Sequence, residues 1–151
     1  MISAVHHASI TTGDLDRLVR FYRDLLGFQL VMESSWEAGN QAADAIYGLT
    51  DTSVRMAMLR MPNGFLELFE FRHPVGKAGD PNRPVCDQGL THICLAVTGI
   101  QAEYERLLAA GVRFHCPPQH APGLCTATYA RDPDGNIVEL MEPEPGGLFS
   151  L

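Results

Sequence analysis

The sequence predicts an α+β fold: two βαβββ modules forming a cupped mixed sheet, with helices on its outer face. Three observations predict it. Landmarks of the first half recur, in order, in the second. Within each half the apolar pattern switches between strand and helix periods. The stretches with neither pattern are rich in Pro and Gly. In the first half His7 is followed by Gly13-Asp14-Leu15, Leu26-Gly27-Phe28, Pro62-Asn63-Gly64 and Glu67-Leu68-Phe69-Glu70. In the second, His92 is followed by Thr98-Gly99-Ile100, Ala110-Gly111-Val112, Pro133-Asp134-Gly135 and Glu139-Leu140-Met141-Glu142. Gly27 lies 20 residues after His7, and Gly111 lies 19 after His92. Such agreement in order and spacing marks a duplication.

Each element follows from local physics. Residues 5–11, small and β-branched, form a strand. Residues 14–26 put Leu15, Leu18, Val19, Tyr22, Leu25 and Leu26 on one helical face, with Gly27 as the stop. Residues 28–32, 54–61 and 65–71 complete the first module as strands, and residues 36–53 form a loop with one short helix. In the second module Ile100, Tyr104, Leu107 and Leu108 repeat the helical stripe before Gly111. Strands over 112–116, 127–131 and 136–142 follow, with Asp134-Gly135 as the hairpin turn. The predicted organisation is one domain: module 1 over about 4–72, a linker over 73–89, module 2 over about 90–142 and an irregular tail over 143–151. The linker holds three prolines and three glycines.

Composition narrows the functional classes. The chain has 151 residues, 46% hydrophobic and 19% charged, enough to bury a substantial core. A net charge of −7 without a basic run excludes a nucleic-acid or anionic-membrane surface. No apolar stretch approaches the ~18 residues of a membrane span. The N-terminal residues lack the pattern of a signal peptide, so the expected location is cytoplasmic. Cys86, Cys94, Cys116 and Cys125 form no C-x-x-C pair and are expected as reduced thiols, packed as small apolar residues.

Strand alternation decides which side chains share a face. His7 sits with Val5, Ser9 and Thr11, opposite Ala8 and Ile10, and His6 falls with the helix-facing set. His92 sits with Cys94 and Ala96. Glu67 sits with Phe65, Phe69 and Phe71, and Glu139 with Ile137 and Met141. A carboxylate in a half-buried strand loses solvation unless it is paired or binds a cation. Two His and two Glu on one concave face satisfy one another by coordinating a divalent metal. Pairing of the glutamates with arginines is the structural alternative. Glu70 and Glu142, one register off, are expected as solvated strand ends, and His73, His115 and His120 have no assigned role.

The runs His7-x6-Asp14-Leu15-x5-Phe21-Tyr22-x3-Leu26-Gly27, Phe65-Leu66-Glu67-Leu68, Thr91-His92-Ile93 and Asp132-Pro133-Asp134-Gly135-Asn136-Ile137-Val138-Glu139-Leu140 resemble the vicinal-oxygen-chelate superfamily. Its members include glyoxalase I, methylmalonyl-CoA epimerase, extradiol dioxygenases and the bleomycin and fosfomycin resistance proteins. The resemblance spans residues 5–142. It implies metal ligands at His7, Glu67, His92 and Glu139, one divalent ion per site (Zn, Ni, Co, Mn or Fe), and a homodimer. Glyoxalase I carries Arg and Asn where this chain has Thr11 and Phe71, which argues against a glutathione hemithioacetal substrate.

The function so implied is a metal-dependent isomerase, epimerase or lyase, acting on a small carbonyl-containing substrate through an enolate-type intermediate. Glu139 or Glu67 would serve as general base. The substrate pocket is expected to be lined by Phe65, Phe69, Phe71, Cys94, Met141, Thr11 and Trp36, the last with its following loop as a lid. The alternatives are an Fe(II) extradiol-type dioxygenase using two His and one carboxylate, and a non-catalytic protein that sequesters a ligand.

Overall fold

The computed structural model describes residues 1–150 and divides into two compact units, Met1–Gly79 and Asp80–Leu151. The first unit runs β1 (His7–Thr11), α1 (Leu15–Arg20), β2 (Gln29–Trp36), α2 (Gln41–Tyr47), β3 (Ser53–Met61) and β4 (Gly64–His73). Its sheet has the order β1-β4-β3-β2, with β1 parallel to β4 and the other pairs antiparallel. The second unit runs β5 (His92–Ala96), α3 (Ile100–Ala109), β6 (Arg113–Phe114), β7 (Gln119–Ala121), β8 (Cys125–Arg131) and β9 (Ile137–Pro143). Its order is β5-β9-β8-β6, with β7 also on β8 and β5 parallel to β9. Each module thus builds its own mixed sheet, parallel where the first strand meets the last.

The helix predicted over 14–26 forms in two parts. After α1, residues Phe21–Leu25 widen into a π turn in which Leu26 N–H bonds to the Phe21 carbonyl and Phe28 N–H to that of Tyr22. Leu15, Leu18, Val19, Phe21 and Tyr22 are buried. Gly27 ends the run at φ +76°, a conformation that penalises a side chain. One face of the first sheet, with Ala57, Leu59, Leu66 and Leu68 fully buried, forms its core with this helix. In the second unit Ile100, Leu107, Val138 and Leu140 do the same. Burying such aliphatic side chains contributes about 1.5–3 kcal/mol each.

Several expectations change at element ends. The strand expected over 28–32 extends to Trp36 across a bulge between Leu30 and Met32, so Trp36 closes a strand rather than opening a loop. The strand expected over 112–116 shrinks to two residues, and β7 had no signal. Val5 and His6 precede β1, and Pro143 belongs to β9. The Asp134-Gly135 turn is closed by Asp132, which is buried and accepts bonds from the N–H groups of Asp134 and Asn136 and from the Asn136 amide. Gly135 has φ +90°, and a Cβ there would lie 2.3 Å from the Pro81 backbone, so only glycine fits beneath the linker.

Glu70 and Glu142 are not solvated strand ends. The Glu70 carboxylate accepts from Leu15 N–H at the start of α1, and Glu142 accepts from Gly99 and Ile100 N–H at the start of α3. Helix starts leave such donors unsatisfied and favour negative charge. The four cysteines are free, but Cys86, Cys94 and Cys116 are exposed and only Cys125 is buried. Among the described residues no helix is long and apolar enough to cross a membrane.

Candidate active site

In the first unit the histidine face is organised in rungs across β1, β4 and β3. The register sets His7 opposite Phe65 and Phe65 opposite Arg60. The next rung holds Ser9, Glu67 and Met58, and the one after it Thr11, Phe69 and Met56. His7 Nε2 lies 3.4 Å from Glu67 Oε2, with the carboxylate the more buried of the two. Beyond Phe69 the face becomes apolar. Trp36 and Tyr47 stack at 5.9 Å, and Tyr47 meets Phe69 and Phe71 edge-on. Tyr47 is placed by α2, which Asp44 anchors by accepting from Thr52 N–H and Oγ1–H, while Trp36 Nε1 donates to the same Thr52 hydroxyl. Desolvation, and then the Glu67 carboxylate, raise the Tyr47 phenol above its ordinary value, so it remains a protonated donor.

The second unit repeats the core of this arrangement. His92 Nε2 lies 3.0 Å from Glu139 Oε2. Glu139 is flanked in register by Cys94 on β5 and Tyr129 on β8. The His92 and Tyr129 rings lie 5.1 Å apart. Cys94 has an exposed flank, yet desolvation on its inner side and the adjacent Glu139 carboxylate push its thiol up to about 12. It is therefore a neutral thiol at physiological pH, not a nucleophilic thiolate. Desolvation, followed by the Glu139 carboxylate, raises Tyr129 as well. His115, which had no assigned role, packs on Tyr129 and accepts a bond from Arg131 Nε, and desolvation and the guanidinium lower its affinity for a proton.

The family model of the Glyoxalase/Bleomycin resistance protein/Dioxygenase superfamily matches residues 4–140. The chain belongs to this superfamily. A 2-epi-5-epi-valiolone epimerase from an Actinomyces species is 33% identical, with the match covering 97% of this chain and 82% of that protein. A biphenyl-2,3-diol 1,2-dioxygenase from Rhodococcus globerulus is 28% identical over 89% of this chain, which spans 60% of that enzyme. Among solved structures, a glyoxalase family protein from Bacillus cereus matches with a TM-score of 0.86 at 22% identity, covering 96% of this chain and 97% of that one. A variant fosfomycin resistance protein from Listeria monocytogenes, complexed with Mn(II) and 1S,2S-dihydroxypropylphosphonic acid, matches with a TM-score of 0.62 at 18% identity, covering 97% of each chain. The chain is thus similar in sequence to an epimerase and a dioxygenase and shares its fold with a resistance protein, and fold alone does not choose among them.

Within this glyoxalase-superfamily chain the donor chemistry suits a divalent metal. Each strand glutamate faces a histidine, and neither has an arginine as counter-ion among the described residues. The Nδ1 atom of His92 is buried without a hydrogen-bond partner, leaving one nitrogen of that ring uncommitted. Among the described residues no group of three or more His, Cys, Asp or Glu is placed to hold an ion, so the donors stand as one pair in each unit. Phe65, Phe69 and Phe71 do share the Glu67 face; Thr11 lies exposed on it, and Trp36 stands on it in the rung of Val54 and Phe71. Cys94 and Met141 flank or follow Glu139 on the second sheet. His6, assigned to the helix side by alternation, instead stacks on Phe65 at 5.0 Å with its Nδ1 2.9 Å from that of His7. Lying before β1 begins, it escapes the strand's alternation. Sequence reasoning missed Tyr47, Tyr129 and Arg60. Tyr129 was recoverable from alternation around residue 127–131 once the register with Glu139 was known, whereas Tyr47 comes from a loop helix with no periodic signal.

Proposed function

We propose that this protein is a metal-dependent isomerase or epimerase, with lyase chemistry as its variant, acting on a small carbonyl substrate by moving the proton on the neighbouring carbon. The observation that carries the proposal is the paired placement of a strand glutamate against a histidine in both units, at 3.4 and 3.0 Å, with no arginine neutralising either carboxylate among the described residues. His7 and Glu67 in the first unit, and His92 and Glu139 in the second, are the donors proposed for a divalent ion. Such an ion acts as a Lewis acid and lowers the cost of negative charge on a carbonyl oxygen.

The rest of the chemistry belongs to side chains. Glu67, with the longer contact to its histidine, is the better placed base, and Glu139 is the other candidate. A carboxylate takes the proton from the carbon beside the carbonyl, and the C–H electrons pass into the enolate. Delivery of a proton from a second acid to the opposite face of the same carbon gives an epimer; in an α-hydroxy carbonyl substrate, transfer of the hydroxyl proton away and protonation of the former carbonyl carbon gives an isomer. The apolar wall of Phe69, Phe71, Trp36 and Tyr47 orients the substrate and keeps water from the enolate. A homodimer accompanies this reading, and sedimentation velocity reads it directly.

Elemental mass spectrometry tests the proposal on tag-free protein reloaded with Mn, Fe(II), Co, Ni or Zn. About one tightly held ion per chain is expected, lost in Glu67→Ala and in His92→Ala. Loaded enzyme is expected to exchange substrate C–H for deuterium in deuterated water, slowed by about 10²- to 10⁴-fold in Glu67→Gln. Fe(II)-dependent oxygen uptake with catechols would move the assignment to a dioxygenase. No bound ion with any of these metals would sink both enzyme readings and leave a ligand-sequestering protein.

A further inference from the structure

Each unit carries one arginine on the rung of its site histidine. In the first, the register runs His7–Phe65–Arg60; in the second it runs His92–Ile137–Arg131. Arg131 is fully engaged. Its guanidinium donates to the carbonyls of Gly135 at 2.8 Å, Arg83 at 2.9 Å and Pro81 at 3.3 Å, and its Nε to His115 at 3.1 Å. Arg60, at the equivalent position, makes no hydrogen bond or ion pair with any described residue. Its Cζ lies 5.5 Å from the centroid of Phe65, and His6 stacks on that same ring.

Arg60 is exposed, so its lack of a partner costs the fold little, but its position is not arbitrary. The Phe65 ring supports the cation and leaves its N–H edges open, the fork geometry that pairs with a carboxylate or phosphate. One rung along, ~7 Å away at strand spacing, stands Glu67, and beyond it the Phe69–Met56 rung begins the apolar wall. The face therefore runs from cation to carboxylate to hydrocarbon.

We infer that Arg60 is an oxyanion-binding residue, selecting substrates that carry a carboxylate or phosphate several bonds from the reacting carbon, with an apolar portion on the other side. Arg60 would contact the substrate's anionic end and take no part in proton transfer. The inference draws the reacting carbon at Glu67 from the proposed function, while the anion contact stands on the geometry of Arg60 itself.

The test is an NMR titration of the protein as isolated with methyl phosphate and, separately, with propionate, comparing wild type, Arg60→Gln and Arg60→Lys. Binding of at least one probe is expected, weakened about 10- to 100-fold in Arg60→Gln and partly restored in Arg60→Lys. The preferred probe distinguishes a phosphate from a carboxylate substrate. Equal binding by wild type and Arg60→Gln, or no binding of either probe, would overturn the assignment. Metal content is measured in parallel and is expected to be unchanged in Arg60→Gln. Lack of metal in the wild type would sink the proposed function, yet the anion titration would still decide Arg60.

Discussion

The two units are copies that kept one feature and exchanged several others. Both place a histidine of the first strand against a glutamate of the last, and both use the glutamate three residues later to cap a helix. They differ in what surrounds the pair. The first unit adds α2 and an aromatic wall of Trp36, Tyr47, Phe69 and Phe71, and leaves Arg60 open. The second replaces that wall with the short strand β7 and commits Arg131 to the chain around Pro81. The histidine–glutamate pairs are thus symmetric, whereas the aromatic wall and the open arginine, which we propose for recognising a substrate's body and charge, lie in the first unit. After duplication, one copy is free to specialise for binding while the other retains the shared donors and stabilises the connecting segment.

The largest expected effects test whether the cores remained equivalent. Leu66 on β4 and Leu140 on β9 are both fully buried against the helix of their own unit. Leu66→Ala and Leu140→Ala should each cost about 2–5 kcal/mol through lost burial and the cavity left behind. Urea denaturation of both variants checks this. A loss below 1 kcal/mol in one and not the other, by the same cavity argument, would show that one copy packs more loosely. The arginine contrast should follow at smaller amplitude. Arg131→Gln removes charge-assisted bonds to three carbonyls and should destabilise by about 1–3 kcal/mol, while Arg60→Gln should stay within about 0.5 kcal/mol. Equal losses in thermal melts would remove the distinction between a structural and a recognition arginine.

What the two units share was legible in the residues alone, because it rests on short-range pattern. The duplication, the two histidines, the first glutamate of each tetrad and the phenylalanines beside Glu67 all follow from spacing and alternation, and they lie on the faces so predicted. What escaped depends on contacts distant in sequence. Alternation places Glu70 and Glu142 away from the histidines, but not against the helix starts they cap, 55 and 42–43 residues away. The freedom of Arg60 and the engagement of Arg131 look alike in sequence, since both follow small or aliphatic neighbours in a strand. Only the path of the linker past Gly135 separates them. Tyr47 was invisible for a related reason: α2 is held by the Asp44–Thr52 bonds rather than by an apolar stripe.

The finest difference concerns how the two helices begin. α1 has its own cap, Asp14, whose side chain accepts from Arg17 N–H, and Glu70 adds one further bond. α3 has Gly99 as its N-cap, which offers no side chain, so among the described residues Glu142 supplies the side-chain cap and takes both Gly99 and Ile100 N–H groups. Those two N–H groups hold the Glu142 carboxyl below its ordinary value. A lowered value in the folded chain means that the contribution is complete above the unfolded value of 4.5 and fades as pH falls through the folded one. Glu142→Gln should therefore lower the melting temperature by a few degrees at pH 7, and the gap from wild type should close as pH falls below the unfolded value of 4.5 and through the lower folded one. Glu70→Gln should do less, because Asp14 still caps α1. Melting curves between about pH 3 and pH 7 give the comparison. A constant gap for Glu142→Gln across that range would show that its carboxylate charge plays no part in starting α3, and an equal loss for Glu70→Gln would show that the helix starts did not diverge.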